Sequence, residues 1–262
     1  VFRKAIKAIL SLAAACMVAA PGGACIVNSV SFSFDAQGHA ASATFVRSGN
    51  NLVVTLSNTS TQDVLQPTDL LTAVFFDVAG HPALTPSSAV LTPGSDVLFG
   101  KQPVGGNVGG EWAFVGSLSG APGCAKYGIS ATGLSLFGPH DLFPGPNLNG
   151  PTNVGGMDFG LLSSGDNPRT GNKPVTGQNP LISNSVTFTL SGLPACLNFN
   201  GGISNVWFQY GTSRCEPVYK YSVETSPAPV PEPVMLGTLV MGLGWIAIRT
   251  KRRLGNTAMI SQ

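Results

Sequence analysis

The chain has 262 residues, of which 33 are Gly, 20 are Pro and only 10% are charged, and its formal net charge is +2. That value hides a partition: seven of the 14 basic residues lie in the two ends, all 12 acidic residues lie between Asp35 and Glu232, and the stretch from Cys25 to Pro233 carries a net −5. A middle without a basic patch has nothing to neutralise phosphates, which excludes nucleic acid as a partner.

In chain order, Arg3, Lys4 and Lys7 form a positive n-region and Ile9 to Ala20 an apolar h-region. Gly22 and Ala24 supply small residues at −3 and −1 of a cleavage site after Ala24, so residues 1–24 are expected to be a signal peptide. Cys16 and Cys25 each follow small residues, but neither has an aliphatic residue at −3, which argues against lipidation.

Residues 25–225 are long enough for one β domain with its own core, and their Gly, Pro, Ser, Thr and Asn content suits short strands joined by turns. From Ile26 to Phe34, Val30, Phe32 and Phe34 fall on one face and serines on the other. Ser42 to Arg47 and Leu52 to Ser57, joined by Ser48-Gly49-Asn50-Asn51, read as a hairpin. Leu71 to Val78 is almost continuously apolar, the pattern of a strand buried on both faces. Ala89 to Leu91 and Val97 to Phe99 flank a Pro93-Gly94-Ser95 turn; Trp112 to Val115, Ser185 to Leu190, Val206 to Tyr210 and Val218 to Val223 complete the predicted strands. Between Gly116 and Asn184 turn residues recur every few positions, interspersed with Leu134, Leu136, Phe137, Phe143, Met157, Phe159, Leu161 and Leu162, so a packed long loop with short strands is expected. The expected fold is all-β: an antiparallel β-sandwich, jelly-roll-like, with a long irregular loop region.

Four cysteines remain after signal removal, an even number that predicts two disulfides and allows three connectivities. The Gly201-Gly202 turn favours Cys196 with Cys215, which leaves Cys25 with Cys124. No catalytic residue, cofactor or metal site is expected. His39, His81 and His140 each adjoin a turn residue, and no nucleophile elbow, zincin or phosphate-loop motif occurs. Glu111 and Glu216 make a weak glycosidase pair. Asp166, Asn167 and Asn172, or Asp141 with Asn147, have oxygens for calcium, although turn formation explains the same residues. Trp112 and Trp207 are candidate glycan contacts, because alternation sets Trp207 and Gln209 opposite Val206, Phe208 and Tyr210.

The C-terminal end is the most specific. Residues 226–233, ending in Val230-Pro231-Glu232-Pro233, form a stiff extended spacer. Val234 to Ile248 then gives about 22 Å of apolar helix, a short membrane span that snorkelling can extend. Arg249, Lys251, Arg252 and Arg253 are a stop-transfer signal in a basic cytoplasmic tail, 249–262, and the basic flanks at both ends fit translocation of the middle.

This arrangement resembles the PEP-CTERM sorting tail. Leu71-Thr72-Ala73-Val74-Phe75-Phe76-Asp77-Val78, Gly109-Gly110-Glu111-Trp112, Gly165-Asp166-Asn167-Pro168 and Ser204-Asn205-Val206-Trp207-Phe208-Gln209-Tyr210 resemble exosortase-dependent surface proteins more widely. The resemblance implies a bacterial envelope protein that the Sec translocon exports, that its C-terminal helix holds in the inner membrane as a precursor, and that an exosortase then processes. It implies no catalytic residue. A structural or adhesive surface module is the leading expectation, a carbohydrate-binding module for exopolysaccharide the second, and an extracellular hydrolase the least favoured.

Overall fold

A computed structural model describes residues 27–138, 142–146 and 156–222. Contacts divide the chain into two compact units, Val1–Tyr221 and Ser222–Gln262, and the fold below is that of the first.

The first unit is built of antiparallel strands, as the alternation predicts. β1 (Ser29–Ala36), β2 (His39–Ser48), β3 (Asn51–Asn58), β10 (Ser185–Ser191) and β5 (Thr85–Leu91) hydrogen-bond in that order into one five-stranded sheet. β12 (Val218–Lys220), β11 (Ile203–Tyr210), β4 (Leu71–Val78), β8 (Tyr127–Ser130) and β7 (Ala113–Val115) form the second. A short pair, β6 (Val97–Leu98) with β9 (Leu181–Ile182), is bridged to β4 of the second sheet through Leu161. The Gln37-Gly38 turn joins β1 to β2 with both residues at positive φ, 56° and 83°, as a type I′ hairpin requires.

The two sheets bury a shared core. Phe45 of the first sheet meets Phe76 of the second at 5.1 Å between ring centroids, Phe34 meets Phe208 at 5.2 Å, and Trp112 meets Phe188 at 4.9 Å. Each such ring removed from water stabilises the fold by roughly 1.5–3 kcal/mol. β4 pairs with β11 in one sheet while β5, the next strand along, pairs with β10 in the other. A two-stranded ribbon therefore crosses from sheet to sheet and ties the layers together.

β4 is buried on both faces, as its apolar run predicts. Val74, Phe76 and Val78 point into the sandwich, and Ala73 and Phe75 point outward into a second cluster with Leu118, Ala121, Ala125 and Leu134. The irregular stretch after Gly116 thus supplies an outer cover for the second sheet. The outer face of the first sheet is of another kind. Ser31, Thr44, Thr55 and Thr187 stand side by side across four strands, and Ser33, Ser42, Ser57 and Ser185 form the next row. Ser31 and Thr44 share a hydrogen bond of 2.9 Å, and Thr55 and Thr187 one of 3.2 Å.

One expectation holds in a particular form and one needs correction. The Pro93-Gly94-Ser95 turn is present between its two strands, with Ser95 N donating to Thr92 O at 2.9 Å, and those strands pair elsewhere, not with each other. β5 joins β10 and β6 joins β9, because Thr92 and Ser95 bond instead to Ser185. The Cys196–Cys215 disulfide is not formed: Cys196, Cys215 and Cys124 are all free and exposed. Cys196 precedes β11 and Cys215 follows it, so eight extended residues, about 23 Å of strand, separate them where a disulfide tolerates under about 7 Å between Cα atoms. The hairpin closes at the other end of β11, through residues 211–217 onto β12, and not around Gly201-Gly202. Cys25 lies outside the described residues.

Candidate functional site

Trp112 is no glycan contact. Its side chain is wholly buried, packed on Phe188, and its indole Nε1 finds no hydrogen-bond partner among the described residues. The size of this ring serves the core, and its polar atom is an unrecovered cost.

Trp207 is placed differently. Strand alternation sends Val206, Phe208 and Tyr210 into the core and leaves Trp207 and Gln209 on the outer face, as the sequence predicts. A register shift in the β11–β4 ladder between Ser204 and Trp207 coincides with Asn205 at a φ of 53°. This irregularity turns the Asn205 side chain into a clamp. Its Oδ1 accepts the Trp207 Nε1–H at 2.8 Å, and its Nδ2 donates to Asp77 Oδ2 at 2.8 Å and to Gly123 O at 2.9 Å. Gly123, at a φ of 59°, lies so close that a Cβ there would stand 2.2 Å from Nε1, so glycine is required.

The half-buried indole lines an open cleft of about 290 Å³ with Gly120, Ala121, Pro122, Leu136 and Arg214. The Lys220 Nζ sits 5.9 Å from the ring centroid, within cation–π range. Gln209, almost fully buried, spends its amide on carbonyls of Tyr210, Ser213, Glu216 and Pro217, fixing the turn that carries Arg214.

A second cleft, of about 250 Å³, opens between Gln37, His39, Ser60, Asp63, Asp69 and Ser163. His39 is not an exposed loop residue: it begins β2, and its side chain is 15% exposed. Its Nδ1 lies 3.1 Å from the Tyr219 hydroxyl, its Nε2 lies 3.2 Å from Thr68 O and 3.7 Å from Asp69 Oδ1, and its ring packs on Tyr210 at 4.4 Å. The Tyr219 hydroxyl also lies 3.2 Å from Gln37 Oε1 while its ring stacks on Phe34 at 4.6 Å, and burial pushes its pKa up, so it remains a hydroxyl donor. Both imidazole nitrogens thus have protein partners, and the group clasps the β1–β2 turn, the 67–69 helical turn and β12 together. His81 is exposed at a positive φ, and His140 lies outside the described residues.

The oxygen-rich loop beside this cleft behaves as a turn. Asp63 accepts from Asn167 N at 2.9 Å and from the Thr170 hydroxyl, and Asp166 Oδ1 accepts from Val64 N at 3.3 Å. Asn167 Oδ1 accepts from Arg169 N at 3.3 Å, and Val175 N donates to Asn172 O at 3.0 Å. Burial, with the Asp63 charge adding, pushes the Asp166 carboxyl up to about 6, while the Thr170 and Asn167 donors hold Asp63 below the usual carboxylate value. Among the described residues no group of three or more His, Cys, Asp or Glu side chains is arranged to hold a metal ion. Asp141 and Asn147 lie outside the described residues.

The two glutamates have different surroundings. Glu111 is buried, and Glu216 turns its carboxylate onto the backbone amides of Thr212 and Ser213. The sorting residues Val230, Pro231, Glu232 and Pro233, the apolar run 234–248 and the basic group Arg249, Lys251, Arg252 and Arg253 lie outside the described residues, as does the signal segment 1–24. Among the described residues no helix is long and apolar enough to cross a membrane. Compared with protein-family models, with curated proteins and with solved structures, the chain matches none of them.

Proposed function

We propose that this chain is an exported bacterial protein of the cell surface or extracellular matrix, whose β-sandwich, jelly-roll-like in its winding, is a non-enzymatic structural or adhesive module. One observation carries the reading: Pro231-Glu232-Pro233, the apolar run to Ile248 and the Arg249–Arg253 basic group follow one another at the end of a chain whose middle carries all the acidic residues. In this reading a signal peptide directs the chain to the Sec translocon, the C-terminal helix tethers it to the inner membrane, and an exosortase processes the tail.

Replacing Pro231, Glu232 and Pro233 together by alanine tests this. Cell fractionation with intact-mass analysis is expected to find the parent protein trimmed at both ends and at the surface, and the variant retained in the inner membrane. A full-length product in the cytosol with both ends intact refutes the reading.

The second reading is carbohydrate binding to exopolysaccharide. What favours it is Trp207: a half-buried indole, clamped by Asn205, that lines an open cleft on the outside of the second sheet.

A further inference from the structure

We propose that the outer side of β11 is a binding trough for an anionic polysaccharide, with Trp207 as the stacking platform and Arg214 and Lys220 as the groups that select its carboxylates. This rests on the carbohydrate reading of the Trp207 cleft and names the class of polymer.

Shape is the first argument. Arg214 lines the Trp207 cleft of about 290 Å³ and also a neighbouring cleft of about 330 Å³ that continues past Ser213 to Gly133 and Ser135. Each alone is near the lower limit of ordinary ligand sites, roughly 300–1,000 Å³. Two such clefts that meet at one side chain make a trough, which suits a chain of sugar units better than a single one. The lining fits that use, with an aromatic face at one end and the Thr132, Thr212 and Ser213 hydroxyl-bearing residues at the other.

Charge is the second. Among the described residues the one ion pair within 4.0 Å is His39 with Asp69, so neither Arg214 nor Lys220 has a carboxylate partner. Arg214 donates to Gly120 O at 2.7 Å, which uses one of its five N–H groups and fixes the guanidinium at the junction of the two clefts. Lys220 stands over the indole. The acids on this side are committed to other donors: Glu216 to the Thr212 and Ser213 amides, Asp77 to Asn205 Nδ2 and Lys126 N. Two cations with no carboxylate partner among the described residues, beside an aromatic ring and in a middle segment of net −5, offer a polyanion local contacts that most of this surface does not. Guanidinium binds carboxylate through paired N–H groups, and the ring accepts the C–H face of a sugar.

Rigidity is the third. The Asn205 clamp and the Gly123 contact hold the indole before any ligand arrives, which lowers the ordering cost of binding.

The full chain, purified in nonionic detergent, should be retarded in native gels by alginate, a polyuronate, and not by dextran, a neutral glucan. Arg214→Gln and Lys220→Gln should each weaken alginate binding about tenfold, the loss expected for one charge-assisted contact. Trp207→Ala should abolish retardation, with circular dichroism and the thermal midpoint confirming that each variant folds; Trp207→Phe should keep part of it. Equal retardation by dextran leaves the carbohydrate reading standing and overturns the selection of anions. Alginate binding unchanged in both cation variants overturns the site. Retardation by neither polymer removes the carbohydrate reading along with it.

Discussion

The Asp63–Asp166 pair predicts an unusual pH dependence of stability. Burial, with the Asp63 charge adding, pushes Asp166 up to about 6, against about 3.9 for an aspartate in an unfolded chain. A carboxyl raised on folding holds its proton in the native state where the unfolded state has released it. Its contribution is therefore full below about pH 4 and is lost as pH rises through about 6. Two units correspond to about 3 kcal/mol at most, and partial exposure of the loop reduces this to about 1–2 kcal/mol. Asp158, raised by burial, acts in the same direction. Asp63 acts oppositely in a lower window: its carboxyl is depressed, so its contribution is present above about pH 4 and is lost on further acidification. Urea unfolding of residues 25–225 at intervals from pH 4 to 7 reads this directly. Asp166→Asn should flatten the parent's decline between pH 4 and 6.5 by about 1–2 kcal/mol. If the two curves run parallel across that range, the fold does not hold a proton on Asp166 and the argument is wrong.

Gly123→Ala places a methyl group against the Trp207 indole at a φ of 59°, and strain plus overpacking should cost about 2–4 kcal/mol; the urea midpoint and a red-shifted tryptophan emission report it, and an unmoved midpoint counts against the contact. Trp112→Ala should cost about 3–5 kcal/mol, a core cavity, as measured by chemical denaturation. Maleimide labelling without denaturant should modify Cys124, Cys196 and Cys215 in a Cys25→Ser background, since all three are free and exposed; a count of one would restore an internal disulfide.

Wherever one face of a strand met the core and the other met water, the pattern was readable. β1, β2, β3 and β10 alternate in burial almost residue by residue, and their sequences show it. β8 escaped because all four of its residues, Tyr127 to Ser130, are buried, leaving no alternation. It also contains Gly128, where Leu118, Phe75 and Phe137 approach too closely for a Cβ and where glycine reads as a turn. The site was less legible. Trp112 and Trp207 are the same residue type near strands, and only the distant chain decides between them: Phe188 closes over one, while loop 120–123 borders the other with a cleft. His39, one residue past a turn glycine, looked like loop because its partners Thr68, Asp69 and Tyr219 are remote in sequence. The cysteine pairing failed for a related reason: spacing along the chain ignored the rigid length of the strand between them.

The hydroxyl rows on the outer face of the first sheet separate this molecule into two surfaces of different physical temperament. Ser31, Thr44, Thr55 and Thr187, with the row of serines beside them, carry no formal charge, and neighbouring strands hold them about 4.8 Å apart. Contacts made there depend on short-range hydrogen bonding and displaced water, so rising ionic strength leaves them nearly untouched. Any contact made by an anion on the opposite side, where Arg214 and Lys220 stand, would weaken as the Debye length shrinks from about 10 Å at 0.1 M salt to about 3 Å at 1 M. Salt would therefore distinguish a contact made on one side of this domain from a contact made on the other.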